Sequence, residues 1–194
     1  GTSQLSPDFR PGRFIVSHFF NPPPLIPLVE LVGNKHTNPE CLKWLKELLI
    51  QCGKSPIVLK DFVKGFFANR VQGAAGRETM YLVNKGIISI EDAESVNMSF
   101  MGIKCSVQGQ FTQYDHIGLD TVALVHSVIT PDLCTSHEVS PLIKEKVDAG
   151  KLGIKTGEGF FKYEGDKATE AVKKREVMML EQLKFYNKYW KKAD

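Results

Sequence analysis

Apolar positions along the chain change their period near residue 61. Before it they come in short dense runs, and Phe14-Ile15-Val16-Ser17, Leu28-Val29-Glu30-Leu31-Val32 and Pro56-Ile57-Val58-Leu59 each read as a strand. Asn21-Pro22-Pro23-Pro24 separates the first two, where a strand must stop because proline donates no ladder hydrogen bond. Thr37-Asn38-Pro39-Glu40 is a capping-box pattern with proline in the first turn, and it predicts a helix to about Gln51. Cys41, Trp44 or Leu45, and Leu48 or Leu49 repeat there at helical spacing, and Gly53 closes the element. Residues 14–60 therefore spell β–β–α–β, the alternation of an α/β layer. Three short strands and one helix make a poor domain alone, so the chain is expected to enter partway through a larger α/β domain.

From Asp61 onward the pattern is helical. A long helix is expected from about Gly65 to Lys85, with Phe66, Val71, Ala74 or Ala75, and Tyr81 or Leu82 on one broad face, and Gly86 ends it. Ser89-Ile90-Glu91-Asp92 is a second capping box and starts a helix to about Phe100. Met101 to Gln110 holds two glycines without a clear period and reads as loop. Helical patterns resume over 113–128 and 140–149, and residues 150–159 form a glycine-rich connector. The last helix, about Lys167 to Lys191, aligns Val172, Met179, Leu183, Tyr186 and Trp190 at three-to-four spacing, a core or subunit-contact stripe with lysines on its solvated side.

Composition narrows the class. The 194 residues are 42% hydrophobic and 24% charged, ordinary for a globular chain, and the formal charge of +3 does not argue for nucleic acid. Cys41, Cys52, Cys105 and Cys134 form no C-x-x-C pair and read as free thiols of a reducing, intracellular compartment. No apolar run approaches the ~18 residues that span a bilayer. There is no G-x-G-x-x-G after a strand, no P-loop, no H-E-x-x-H, no cysteine–histidine metal spacing and no Gly-x-Ser-x-Gly elbow. The chain does not carry the loop that would hold a dinucleotide pyrophosphate, and no metal is expected.

The candidate chemistry lies in His18-Phe19-Phe20-Asn21-Pro22 and Glu30. A chain folding back through the proline bend brings the two side chains together. A carboxylate beside an imidazole fixes its tautomer and stabilises the imidazolium, which makes a general base worth ~10²–10⁴-fold in rate. The alternative is a satisfied strand-end histidine with a solvated glutamate, and spacing alone favours it.

Ser17-His18-Phe19-Phe20-Asn21-Pro22-Pro23-Pro24, continuing through Pro27-Leu28-Val29-Glu30-Leu31-Val32, resembles the signature stretch of the L-3-hydroxyacyl-CoA dehydrogenase family. The likeness runs on through Gly53-Lys54-Ser55-Pro56, Gly65-Phe66-Phe67-Ala68-Asn69-Arg70, Gly118-Leu119-Asp120-Thr121 and Lys155-Thr156-Gly157-Glu158-Gly159-Phe160. It covers residues 3 to 163, and the H-x-x-N-P…E and G-F-x-x-N-R elements are specific to the family. The resemblance implies the α/β remnant of a Rossmann-type domain, most of which is missing, over residues 1–60. It further implies an all-α dimerisation domain of the 6-phosphogluconate dehydrogenase C-terminal-like type over 61–165, with an amphipathic helix over 166–194. The implied cofactor is NAD, the substrate an acyl-CoA, and the partner a second copy joined through the helical domain. By matching position, His18 resembles the base that takes the 3-hydroxyl proton, and Glu30 its acidic partner. Asn69 and Ser3 resemble substrate-binding residues, and Asn21 lies where the cofactor approaches. Cytoplasm or mitochondrial matrix is implied as compartment.

Two departures bear on the substrate. Gly109-Gln110-Phe111 stands where the family commonly has Gly-Pro, and the preceding loop, Met101 to Val107, also differs. The Pro-Pro-x-x-Ile-Pro-Leu-Val-Glu-Leu-Val wording is also similar to relatives that oxidise sugar acids and to crystallin-like members. A hydroxy-acid dehydrogenase without CoA is therefore the second reading, and a non-catalytic dimerising module the third. The chain alone is expected not to turn over. Of the other histidines, His36 reads as solvated, His116 as a neighbour of the substrate-side loop, and His126 and His137 as partnerless. Gly153, Gly157 and Gly159 read as turn geometry rather than a phosphate nest.

Overall fold

The computed structural model describes residues 10–191. β1 (Val16–Phe19) pairs antiparallel with β2 (Leu28–Val32), and β2 pairs parallel with β3 (Ser55–Leu59), giving a sheet in the order β1-β2-β3. α1 (Pro39–Gln51) carries the chain between the two parallel strands, as a parallel pair requires. Its N-cap is Asn38, whose side chain accepts from the Glu40 N–H. β2 is central and has Val29, Glu30 and Leu31 without exposure. Val29 and Leu31 form the core with Leu49 of α1, and Ile15, Leu42 and Leu45 pack against them. The helix register thus turns Leu45 and Leu49 inward and leaves Trp44 and Leu48 outside.

β1 starts two residues later than the hydrophobic pattern suggests, and the reason is local. The Phe14 carbonyl accepts a 2.8 Å bond from the Thr37 hydroxyl, which itself accepts from the Asn34 N–H, so Phe14 serves the β2–α1 turn rather than the ladder. At its other end β1 runs on to Phe19, so His18 lies inside the strand, directly opposite Glu30.

Two compact units divide the described chain: residues 10–69 with 171–191, and residues 70–170. α8 (Lys167–Tyr189) thus contributes most of its length to the first unit. Val172, Met179, Leu183 and Tyr186 are half-buried along it, as are Ala168 and Ala171, whereas Trp190, expected in the same stripe, lies past the end of the helix and is exposed. The hydroxyls of Tyr186 and Ser55 on β3 lie 2.7 Å apart.

The second unit is helical. α2 (Phe66–Asn84) enters it and is followed by α3 (Ile90–Val96), capped by Ser89, whose Oγ accepts from the Asp92 N–H. The stretch read as loop from Met101 is instead helical as far as Val107. A π-turn over Asn97–Gly102 leads into α4 (Ile103–Val107), because Gly102 takes ordinary helical angles and Lys104 sits over the Phe100 ring one turn back. The single helix expected over 113–128 is two, α5 (Gln110–Ile117) and α6 (Leu119–Ile129). Gly118 breaks them at φ +97, and a Cβ there would meet Asp120 Oδ1 at 2.8 Å. α7 (Pro141–Asp148) precedes the glycine-rich connector.

That connector is a knot of tight turns. Gly159 is buried, and a Cβ on it would stand 2.8 Å from the Gly153 Cα. The Lys151 ammonium, 2.8 Å from Glu158, holds that carboxyl below the usual range. Because the folded value lies below the unfolded one, this contribution is present above the ordinary glutamate range and fades as pH falls through the folded value. We expect Gly159→Ala to lower stability by ~1–3 kcal/mol, since backbone cannot yield as a flexible side chain does. Gly76→Ala, in α2 with open space at its Cβ, should raise stability by up to ~1 kcal/mol. Urea unfolding of the two variants beside the parent checks the opposite signs.

Candidate active site

The site grows from one misfit in an otherwise apolar strand. Every residue of β2 but one is aliphatic, and the exception, Glu30, is fully buried. A carboxylate survives there only if its oxygens are bonded. Oε2 lies 2.8 Å from His18 Nδ1, and Oε1 accepts from the N–H groups of Phe67 and Ala68 at 3.0 Å each. Those two N–H groups belong to the first turn of α2, where no intrahelical acceptor exists. Glu30 therefore caps a helix that starts 36 residues later in the chain, and the positive end of that helix stabilises its charge.

The antiparallel register sets the histidine. His18 and Glu30 are cross-strand partners, so their side chains leave the same face of the sheet. The imidazole is 23% exposed and lies against the rings of Phe20 and Phe66, each centroid at 4.4 Å. With Nδ1 facing the carboxylate, Nδ1 carries the proton and Nε2 keeps its lone pair. Nε2 has no partner among the described residues. The arrangement is an imidazole oriented through Nδ1 by a buried carboxylate, with Nε2 left to a reactant.

The loop between the two strands is pinned from β3's side. Lys54 donates through Nζ to the carbonyls of Pro23 and Ile26, the latter at 3.2 Å. This fixes the proline bend that returns the chain from His18 to Glu30. Sequence reasoning missed Lys54, the Phe67 and Ala68 N–H groups, and the two phenylalanine rings. Gly65, which sits at φ +79 before the helix, and the isolated glutamate in β2 were the legible signals. Phe66 follows Gly65 at φ +53, a conformation costing a bulky residue ~1–3 kcal/mol.

The remaining expected residues are placed separately. Asn69 is exposed in the first turn of α2, one residue after Ala68, and Asn21 is exposed just beyond β1. Ser3 lies outside the described residues. His36 is exposed, and its N–H donates to Asn34 Oδ1. His116 Nδ1 is 2.8 Å from Gln108 Oε1. His126, expected to be partnerless, meets the Tyr114 hydroxyl at 3.3 Å, because both helices flanking Gly118 present these side chains to each other. Among the described residues no cluster could hold a metal, and no helix is long and apolar enough to cross a membrane.

Comparison with known proteins gives this geometry its context. Residues 65–163 match the model for the 3-hydroxyacyl-CoA dehydrogenase C-terminal domain, and residues 2–62 match that for the NAD binding domain of the same family. The 5-formyl-3-hydroxy-2-methylpyridine 4-carboxylate 5-dehydrogenase of Mesorhizobium japonicum is 35% identical over 89% of this chain and 57% of its own. A crystal structure of an enzyme of that name, described as an NAD+ dependent dismutase, superposes with a TM-score of 0.84 at 34% identity, over 88% of this chain and 55% of that one. The (S)-3-hydroxybutyryl-CoA dehydrogenase of Ralstonia eutropha gives 0.57 at 33% identity, over 80% and 54%. The chain thus spans about half the length of the relatives it matches.

The match over residues 2–62 corrects the expectation that most of the NAD-binding domain is missing. That expectation rested on three strands being too few, yet β2 and α1 bury a core between them, with Ile15 packed against it. The strand-to-helix turn from β2 to α1 is not a phosphate cradle, since Thr37 fills the space beside Gly33 and uses the Asn34 N–H. Asn21, exposed, stands three residues beyond His18, where the proline bend starts. We expect Glu30→Gln to reverse the imidazole tautomer, because an amide N–H₂ toward Nδ1 forces the proton onto Nε2. Nitrogen-15 shifts of the His18 ring would read this directly; an unchanged Nδ1–H would remove Glu30 from the orienting role.

Proposed function

The chain belongs to the 3-hydroxyacyl-CoA dehydrogenase family, and on that premise we propose that it takes part in NAD-dependent interconversion of a 3-hydroxyacyl-CoA and the 3-ketoacyl-CoA. The observation that carries the reading is the His18–Glu30 contact at 2.8 Å, with the carboxylate buried and held on its other oxygen. NAD, when bound, supplies the hydride acceptor. His18 Nε2 removes the proton of the substrate hydroxyl as the carbonyl forms, and returns it in the reverse direction. Glu30 keeps Nδ1 protonated and balances the imidazolium that results. Because Glu30 is already bonded three ways, little reorganisation accompanies that charge change. Asn69 and Ser3 are assigned to the substrate and Asn21 to the cofactor side.

A second reading has its own support. The higher structural likeness is to an enzyme named for a pyridine carboxylate rather than for an acyl-CoA. Gln110 and Phe111 open α5 where the family commonly has proline, and Phe111 is 83% exposed. A substrate that is a free carboxylic acid accords with these differences.

The partner is a second copy of the chain, joined through the helical unit. In that unit Ala93 is the one buried apolar residue among those described, while Leu124 and Val128, one turn apart on α6, are more than two-thirds exposed. A helix with so much apolar surface needs a covering partner. The four free cysteines accord with a reducing compartment, cytoplasm or mitochondrial matrix.

Three measurements test these statements. NADH oxidation by the full-length protein should be faster with acetoacetyl-CoA than with acetoacetate at equal concentration; a rate on the free acid alone selects the second reading. His18→Gln should lower kcat by ~10²–10⁴-fold without changing the oligomeric state, and a near-normal rate would take the base role from His18. Sedimentation should find a dimer that Leu124→Asp converts to monomer, whereas a monomeric parent would defeat the subunit proposal.

A further inference from the structure

Phe66 is the one non-glycine residue with positive φ among those described, and it stands at the start of the helix that binds Glu30. A bulky side chain in the left-handed region persists only where its surroundings over-determine it. Glycine would occupy this position without strain, so the position gains something from the ring. What the ring touches is His18: the two planes stack at 25° with centroids 4.4 Å apart. Phe62 meets Phe66 edge-on at 5.8 Å and 85°, bracing it in that place.

We propose that Phe66 is a positioning residue for His18. The hydrogen bond to Glu30 fixes where Nδ1 lies, but leaves the imidazole able to swing about the N–H···O line. A flat aromatic face removes that freedom, because stacking sets the plane of the ring and with it the direction of Nε2. Phe20, tilted at 52°, limits the ring from a second direction. The left-handed turn at Gly65 and Phe66 therefore delivers two things to one pair: the Phe67 and Ala68 N–H groups to the carboxylate, and an aromatic face to the imidazole. A base whose lone pair is aimed in advance needs no alignment as the proton moves. The inference rests on His18 being the base.

The test separates ring from backbone. Phe66→Leu removes the flat face and retains apolar bulk, Phe66→Gly removes the ring and relieves the φ, and Phe66→Tyr retains the face. In the full-length protein, Leu and Gly should each lower kcat by about 10- to 100-fold with KM nearly unchanged, while Tyr restores the parental rate. A parental kcat in the Leu or Gly variant overturns the proposal. So does a change confined to KM, which would make Phe66 a substrate contact. The His18 Nδ1–H signal in proton NMR gives a readout without turnover: it should be sharp in the parent and the Tyr variant, and broadened in Leu and Gly. Equal sharpness in all four overturns the stacking role. A parent that transfers no hydride, yet whose signal still depends on Phe66, refutes the proposed reaction and leaves the stacking intact.

Discussion

Burying a carboxylate in the middle of a sheet is the constraint from which the rest of the first unit follows. Glu30 sits on the central strand with no exposure, among Leu28, Val29, Leu31 and Val32. An unpaired carboxylate at that depth would be neutralised or expelled, so its surroundings must supply donors from beyond its own strand. They come from two places, the imidazole on β1 and the first turn of α2. Each fixes an element: the antiparallel register puts His18 opposite Glu30, and the left-handed turn at Gly65 and Phe66 aims the helix at it. A slip of β1 by one residue would turn His18 to the opposite face from Glu30 and break the pair.

The two units divide the physical work differently. The first has a small apolar core and concentrates its polar chemistry at one buried pair. The second has almost no buried apolar side chains of its own and keeps its shape through caps, turns and backbone bonds, such as the Ser89 cap and the Glu78 side chain accepting from the Cys134 N–H. The Gln110 and Phe111 departure belongs to the second unit, and the residues that hold the imidazole belong to the first.

Much of this was legible in residue order. β2, α1, β3 and the half-buried stripe of α8, Trp190 apart, follow from period and caps. The His18–Glu30 pairing was readable as chemistry and as family likeness, though not as register. The start of β1 was misjudged because Phe14 is hydrophobic yet its carbonyl is claimed by Thr37, a contact across 23 positions that no local pattern records. The helical stretch from Met101 to Val107 was hidden by glycines, one of which takes helical angles. Lys54, Phe67 and Ala68 act through backbone atoms, theirs or their partners', and backbone chemistry carries no residue signature. The strain at Phe66 is invisible for the same reason.

The hydroxyl contact between Ser55 and Tyr186 joins positions 131 residues apart. At synthesis rates of roughly 5–20 residues per second, about 7 to 26 s separate the appearance of β3 from that of its partner on α8. The helical unit emerges whole in that interval. The first unit to begin is thus the last to be finished, and its sheet must wait on the ribosome with the α8 side uncovered.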